Sequence, residues 1–487
     1  MLFIIFALIK TYPLKPVDRL TALYKRWSGK MPEKVSKLEA SGSKRQYFRL
    51  SSDGRNAIGA YNSDLEENRA FISFTKHFLR HDLPVPEIYM EDQPNGIYLI
   101  EDLGDRTLFQ ELMDNQDKTS FSDHLYNLYL RAIERLVSFQ LKAGADLDYS
   151  LCYPRSAFDR QSIIWDLNYF KYNFLKLAGL EFNEQMLEDD FHVLTDFLLE
   201  ENTQYFMYRD FQARNILLRE GDLYFIDYQG GRKGPLAYDL ASLLFQVRAD
   251  LPFETREELL EKYLEIASDL TELDPIRFKR YYYGFVLLRL LQVLGAYGLR
   301  GLFERKEHFL RSIPYAAKNI KWLMGNEMLK LNLPALNGIL QRIQDKFLVE
   351  TRSEKADKKD LIITLYSFSY KKGIPANSSG HGGGFVFDCR ALPNPGRSEE
   401  FMLLTGKDQP VIDYLQKQSS VHQFIDDIRH ILSPAIDNYL ERGFASLMVS
   451  FGCTGGQHRS VYCAERTRNW LEQNFPVRVN CIHRELA

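Results

Sequence analysis

The chain has only five cysteines in 487 residues: Cys152, Cys389, Cys453, Cys463 and Cys481. None stands in a CxxC pair, which excludes a disulfide-stapled small scaffold and a paired-thiol metal site. A reducing, cytoplasmic home follows. An excess of one charge is missing as well. With 62 Lys and Arg against 65 Asp and Glu, the net charge of −3 gives no global attraction to nucleic acid. A local basic face stays open. Met1 to Ile9 is almost wholly apolar, but it falls short of the ~20 residues a spanning helix needs. It also lacks the positive n-region and small-residue cleavage site of a leader. It reads as a docked edge strand or as a start placed too far upstream, and no membrane is expected. Internal repeats and low-complexity tracts are absent apart from the small cluster Gly380-His381-Gly382-Gly383-Gly384.

What is present is ordinary globular composition, 45% hydrophobic, in a chain long enough for two or three domains. The most informative stretch is Met207-Tyr208-Arg209-Asp210-Phe211-Gln212-Ala213-Arg214-Asn215, followed by Phe225-Ile226-Asp227. Both acids lie at the ends of apolar β-type runs, Tyr205–Tyr208 and Leu223–Ile226. A carboxylate, four residues, an Asn and a strand ending in Asp form the layout that phosphoryl transfer from ATP requires. Asp210 is expected to orient an acceptor hydroxyl and take its proton. Asn215 and Asp227 are expected to hold Mg²⁺. The competing reading makes these residues two capping aspartates and a turn asparagine.

The surrounding text agrees with a two-lobe plan. Leu14 to Gly29 has helical apolar spacing. Val35–Ala40, Tyr47–Ser52 and Ala57–Tyr61 read as a β-meander, and Glu66–Leu79 as a helix. Strands near Glu87–Met90 and Ile97–Ile100 then lead into Glu101-Asp102-Leu103-Gly104. From there to about Glu350 the pattern is mostly helical. Thr351 to Asp360 contains no large apolar residue and reads as a linker. Beyond it, alternating strand and helix patterns indicate a compact α/β domain. The expected fold is an α+β two-lobe protein-kinase-like domain followed by a small α/β domain. The boundaries are 1–29 for an N-terminal extension and helix, 30–350 for the kinase-like domain, 351–360 for the linker and 361–487 for the last domain.

Tyr208-Arg209-Asp210, Asn215-Ile216-Leu217, Ile226-Asp227-Tyr228-Gln229 and Gly234-Pro235-Leu236-Ala237-Tyr238-Asp239-Leu240 resemble the aminoglycoside phosphotransferase family. Within it, the chain is most similar to the anomeric amino-sugar kinases acting on N-acetylmuramate and N-acetylglucosamine. Ser41 to Arg49 resembles their nucleotide-covering loop, and Glu101 to Gly104 their hinge. The resemblance implies ATP and Mg²⁺ as cofactors and Asp210 as catalytic base. It implies adenine contacts from backbone groups of Glu101, Asp102 and Leu103, with Ser43 in the covering loop. Asp239 would brace the catalytic segment. Two departures stand out. No Lys occurs in Ala57–Tyr61, where a phosphate-pairing lysine is expected on the third strand, which leaves Lys44, Arg45 or Arg49 as its replacement or as solvated hairpin charges. Gly230 occupies a position where the sugar kinases place another acid. Asp159, Asp166 and Tyr172 are possible acceptor contacts, or ordinary helix residues. No dense acidic cluster flanks the motif, which favours a neutral or anionic sugar over an aminoglycoside.

A second constellation lies at Gly452-Cys453-Thr454-Gly455-Gly456-Gln457-His458-Arg459-Ser460, where an apolar strand enters a glycine loop and then a helix. Converging backbone N–H groups, the helix N-terminus, His458 and Arg459 suit an anion. The Cys453-x5-Arg459 spacing is also that of cysteine phosphatases, although no general acid is evident. A plain strand-to-helix turn is the third reading. With Ser367–Pro375, Phe387–Arg390, Leu392–Pro395 and Thr405-Gly406, this region is similar to the C-terminal domain of RapZ, a bacterial regulator of amino-sugar synthesis. That resemblance implies a hexosamine-phosphate or sugar-nucleotide site from Asp388, Arg390, Asn394, Cys453, Thr454, Gly455, Gly456, His458 and Arg459. Gly396 replaces a His of the regulator. The ending His483–Ala487 lacks its basic tail, which argues against RNA binding, and the regulator's G-x4-G-K-[ST] loop is absent. The combined expectation is an ATP-dependent kinase for an amino sugar or cell-wall sugar, fused to a sugar-phosphate-binding module. The alternatives are a nucleotide-responsive adaptor with little turnover and an RNA-binding regulator.

Overall fold

The computed structural model describes residues 15–38, 45–115, 121–348, 361–375 and 384–486. Met1–Ile9, Ser43, Lys44, the 351–360 linker and Gly380–Gly383 lie outside the described residues. The chain divides into two compact units, one containing 15–299 and 312–348, the other 300–311 and 361–486. The first is a two-lobe, protein-kinase-like α+β unit, and the second is a small α/β unit.

The small lobe starts with α1 (Pro16–Ser28), which has proline at its first position and stops at Gly29, φ 82°. Glycine enters that left-handed conformation without a Cβ penalty. β1 (Lys34–Lys37), β2 (Gln46–Ser52), β3 (Arg55–Tyr61), β4 (Ile88–Asp92) and β5 (Ile97–Glu101) follow. They pair antiparallel in the order β1-β2-β3-β5-β4. Alternation along the strands sends Phe48, Leu50, Ala57, Ile97 and Leu99 to one face, where Leu20, Leu23 and Tyr24 of α1 cover them. Gly59 permits this approach, because a Cβ there would stand 2.8 Å from Leu50 and 3.0 Å from Leu20. The opposite face receives α2 (Leu65–Arg80), capped by Asp64, with Phe71 stacked on Tyr98 at 5.0 Å.

The large lobe contains α3 (Leu108–Asn115), α4 (Asp123–Val137), α5 (Arg160–Phe170), α6 (Glu184–Leu199), α7 (Leu236–Leu244), α8 (Phe253–Ser268), α9 (Pro275–Tyr297), α11 (Ile313–Met324) and α12 (Pro334–Phe347), with α10 (Glu307–Leu310) lying in the second unit. α9 is long and apolar, and its residues from Phe278 to Leu294 are mostly buried, packed on α5 and α7. That burial accounts for its composition. Two short antiparallel pairs carry the motif residues: β6 (Tyr205–Met207) with β9 (Arg232–Gly234), and β7 (Ile216–Arg219) with β8 (Asp222–Phe225). Glu220 and Gly221, with φ 54° and 87°, make the two-residue turn whose twist suits a tight hairpin.

In the second unit β10 (Ile362–Ser369), β11 (Phe385–Asp388), β12 (Ser446–Cys453) and β13 (Arg478–His483) form a parallel sheet ordered β11-β12-β10-β13. α13 (Gln409–Gln416), α14 (Ser419–Glu441) and α15 (Arg459–Asn474) pack against it through Val411, Ile428, Leu432 and Leu471. The glycine loop leaves the C-terminal end of β12. In open parallel sheets, ligands are held at that end.

Candidate functional site

The loop between β6 and β7 and the segment after β8 are held by their aromatic residues. Tyr208, Phe211 and Tyr228 are each at most 1% exposed. The Tyr208 hydroxyl donates to Ile226 O at 2.7 Å, and Phe211 stacks on Phe225. Thr75 of α2 shares a 2.6 Å hydrogen bond with the Tyr228 hydroxyl, tying the small lobe to the same segment. Asp239, fully buried at the start of α7, accepts from the backbone N–H groups of Tyr208 at 2.7 Å and Arg209 at 2.9 Å. The bracing role is met by geometry. Burial pushes the Asp239 carboxyl up to about 7, against the pull of those two amides and of Gln140.

That scaffold brings Asp210, Asn215 and Asp227 together. Asn215 Nδ2 donates to Asp210 O at 2.8 Å and to Asp227 Oδ2 at 3.2 Å. Its Oδ1 has no hydrogen-bond donor among the described residues. The Asp210 carboxylate is partly exposed and, among the described residues, neither hydrogen-bonded nor ion-paired. Asp227 takes a left-handed φ of 72°, and Arg209 one of 80°, so backbone strain sits beside Asp210 and at Asp227 itself. Burial first, then the charge of Asp210, raises the Asp227 carboxyl. Gln229 and the charges of Arg45 and Arg214 oppose the rise. Two neighbouring carboxylates and a free amide oxygen make a hard, oxygen-only donor set. Such a set fits a divalent cation of the magnesium class, whose charge would relieve the repulsion.

The nucleotide-side residues divide. Arg49 is spent on the hinge: its guanidinium bonds both oxygens of Asp102 at 2.7 and 3.0 Å and both of Asp105 at 2.9 and 2.8 Å. It staples β2 to the hinge, with four of its five N–H donors given to these two carboxylates. Glu101 N–H donates to Glu87 O at 2.9 Å, so this amide is committed to the β4–β5 edge. The Leu103 amide has no backbone acceptor among the described residues. Arg45 lies elsewhere, 3% exposed and paired to Glu67 of α2 at 3.1 Å. Ser43 and Lys44 lie outside the described residues.

The expected acceptor residues are mostly occupied. Asp159 caps α5 by accepting from Ser162 N, and Asp166 takes a two-pronged bond from Arg209 at 2.8 and 2.9 Å. Tyr172 is about half exposed beneath the ammonium groups of Lys171 and Lys176. A Cβ at Gly230 would meet only Arg209, at 3.9 Å, so a side chain fits there. Sequence reasoning missed Glu67 as a site residue. The first turn of α2 has Glu66 beside it, and only packing selects between the two. It missed Gln229 in the same way, although the residue sits inside the quoted motif. Its Nε2 reaches Asp227 Oδ1 at 2.8 Å and Glu67 Oε1 at 3.5 Å.

In the second unit, Asp388 ends β11 and accepts from the backbone N, Nε and Nη2 of Arg390. The Arg390 side-chain bond lowers the Asp388 carboxyl, and the same guanidinium lies 4.0 Å from the Tyr370 ring centre. Thr454 and Gly455 are exposed at the loop crest, and Gly456 turns with φ 75°. Cys453 Sγ receives Gly456 N–H at 3.2 Å and lies 3.2 Å from Ser460 Oγ. Arg459 does not complete a phosphatase-like cradle in this state, since its Nη1 donates to Arg390 O and Leu392 O. His458 bonds Phe401 O at 2.9 Å, and a Cβ at Gly396 would come within 3.1 Å of its ring. Gly396 therefore leaves room for the His458 ring, with Asn394 Oδ1 3.6 Å from the same Cβ position.

Residues 34–277 match the phosphotransferase enzyme family, and residues 361–487 match the RapZ C-terminal domain. A nucleotide-binding protein of Cupriavidus metallidurans is 39% identical over 142 residues, 29% of this chain and 46% of that protein. One from Thermodesulfovibrio yellowstonii is 40% identical over 141 residues, 29% of this chain and 47% of that protein. The chain spans about half the length of these curated relatives. Among solved structures, an ethanolamine kinase of Plasmodium vivax has 12% identity and a TM-score of 0.44, covering 60% of this chain and 82% of the other.

Proposed function

The chain belongs to the phosphotransferase enzyme family, and from that premise we propose that it is an ATP- and Mg²⁺-dependent kinase for an amino sugar or cell-wall sugar, fused to a domain that binds a sugar phosphate or sugar nucleotide. The observation that carries the reading is the Asn215 amide bridging Asp210 O and Asp227 Oδ2. In the proposed reaction, the acceptor oxygen forms a bond to the terminal phosphorus of ATP as the bond to the ADP oxygen breaks. The unpaired Asp210 carboxylate orients the acceptor hydroxyl and receives its proton. Asn215 Oδ1 and the Asp227 carboxylate would hold Mg²⁺, which when bound neutralises charge on the transferred group. The hinge amide of Leu103 would read the adenine edge. A neutral or anionic acceptor is favoured, because Asp159 and Asp166 are already engaged by Arg155 and Arg209.

For the second unit, the support is an exposed Thr454-Gly455 crest on the loop that leads from β12 into the 16-residue helix α15. The exposed hydroxyl and glycine backbone of that crest suit the phosphate of a hexosamine phosphate. A cytoplasmic home is supported by five free cysteines, three of them buried. The test is turnover of Mg·ATP with a panel of sugars, the product being identified by mass and NMR. Asp210→Ala should lower turnover by ~10²–10⁴. Activity equal to wild type removes the base assignment. The absent third-strand lysine keeps a second reading, a nucleotide-responsive adaptor. A nucleotide-induced melting shift with no turnover on any sugar would favour it.

A further inference from the structure

The missing lysine has a structural replacement. Arg45, immediately before β2, and Tyr47 and Arg49 within it alternate on the face opposite the Phe48 and Leu50 side chains that α1 covers. Tyr47 pairs across the strands with Ala60. A lysine at position 60 of β3 would therefore share the face from which Arg45 projects. Arg45 Nη2 reaches Glu67 Oε1 at 3.1 Å, Nη1 reaches the Tyr47 hydroxyl at 3.2 Å, and the guanidinium lies 5.8 Å from the Phe71 ring centre. Glu67 is held from three sides. Its backbone N–H is bound by Asp64, Oε2 receives Asn62 Nδ2 at 2.5 Å, and Oε1 faces Gln229 Nε2 at 3.5 Å. Gln229 continues to Asp227, and Asp227 to Asn215. One polar chain thus runs from Arg45 through α2 to the proposed metal carboxylate.

We propose that Arg45, paired with Glu67, is the fixed cation that positions the phosphates of the bound nucleotide, moved from the third strand to the start of the second. The inference rests on the kinase reading above and narrows it. Arg49 is held at the hinge by Asp102 and Asp105, which neutralise its charge there. Arg45 is a positioning residue, since a nearly buried guanidinium acts through its field in a low-dielectric cleft as well as by contact.

The test measures Kd for Mg·ATP and for adenosine on the full chain, by calorimetry, in wild type, Arg45→Met, Arg45→Lys, Arg49→Gln, Glu67→Gln and Lys44→Ala. Arg45→Met should weaken ATP on the order of tenfold or more while adenosine changes less than about twofold. Arg45→Lys should recover most of the loss, and Glu67→Gln should show a smaller, phosphate-selective loss. Arg49→Gln should weaken ATP and adenosine alike, through the hinge. The proposal is overturned if Arg45→Met binds ATP as wild type does, if it loses ATP and adenosine equally, or if Lys44→Ala alone carries the phosphate-selective loss. Should Arg45→Met fail to fold, Glu67→Gln decides: wild-type affinity for ATP in that variant overturns it. A wild type that binds neither ATP nor adenosine defeats the kinase reading itself, whereas adenosine binding with no gain from the phosphates defeats only the assignment of Arg45.

Discussion

Single side chains between Tyr208 and Tyr228 are placed by buried partners. Asp239 fixes two backbone amides, Tyr208 and Tyr228 anchor the two strand ends, and Asp210 is left with a carboxylate that bonds nothing among the described residues. Asp239 also yields a pH prediction. Its folded value of about 7 lies above the ~3.9 of an unfolded aspartate, so the native chain holds a proton there that the unfolded chain has released. A raised carboxyl contributes stability that is full below the unfolded value and lost as pH rises through the folded one. Across pH 4 to 8 the loss should be on the order of 4 kcal/mol. Asp239→Asn should lack that decline, although the variant should be less stable than wild type, because one amide acceptor replaces two carboxylate oxygens. Chemical denaturation of both proteins from pH 4 to 8 checks it. Parallel curves would mean that Asp239 does not titrate in the window.

At the level of elements, the strand and helix patterns were legible because each is a local periodicity bounded by local stops. The meander appears as β2 and β3 joined at Asp53-Gly54, both left-handed, and the β7–β8 hairpin turns at Glu220-Gly221. The packing of α1 was not legible, since amphipathic spacing shows only that a helix has an apolar face and does not say what covers it. In the structure that face lies on the small-lobe sheet, with Leu20 fully buried among Leu50, Ala57 and Leu99. Leu20→Ala should therefore destabilise the kinase unit by about 3 kcal/mol, read as a lower denaturant midpoint at unchanged slope. A loss below about 1 kcal/mol would show that α1 is dispensable to the lobe. The helix that carries Asp166 begins at Arg160 and passes into a π-type turn over Lys171–Leu175, a change of winding that spacing cannot foretell.

On the scale of the whole molecule, two compact units, each with its own core, should melt as two transitions. Mg·ATP should raise one, and glucosamine 6-phosphate the other, by about 2.7 kcal/mol at a hundredfold excess over Kd. Thr454→Glu puts a carboxylate at the exposed loop crest and should abolish the second shift while leaving the first. Calorimetric scans of the full chain would decide, and a sugar-phosphate shift that survives Thr454→Glu would remove the cradle from that loop. The sequence by itself determined the order of domains, the strand–loop–strand frame around Asp210, Asn215 and Asp227, and the lack of a third-strand lysine, because each is written in neighbouring residues. It left Lys44, Arg45 and Arg49 as equals. Tertiary structure separated the two arginines by giving each a carboxylate far along the chain: Arg45 meets Glu67 on α2, and Arg49 meets Asp102 and Asp105 at the hinge. Charge placement depends on which helix and which hinge close over the same strand face. No local pattern encodes that closure.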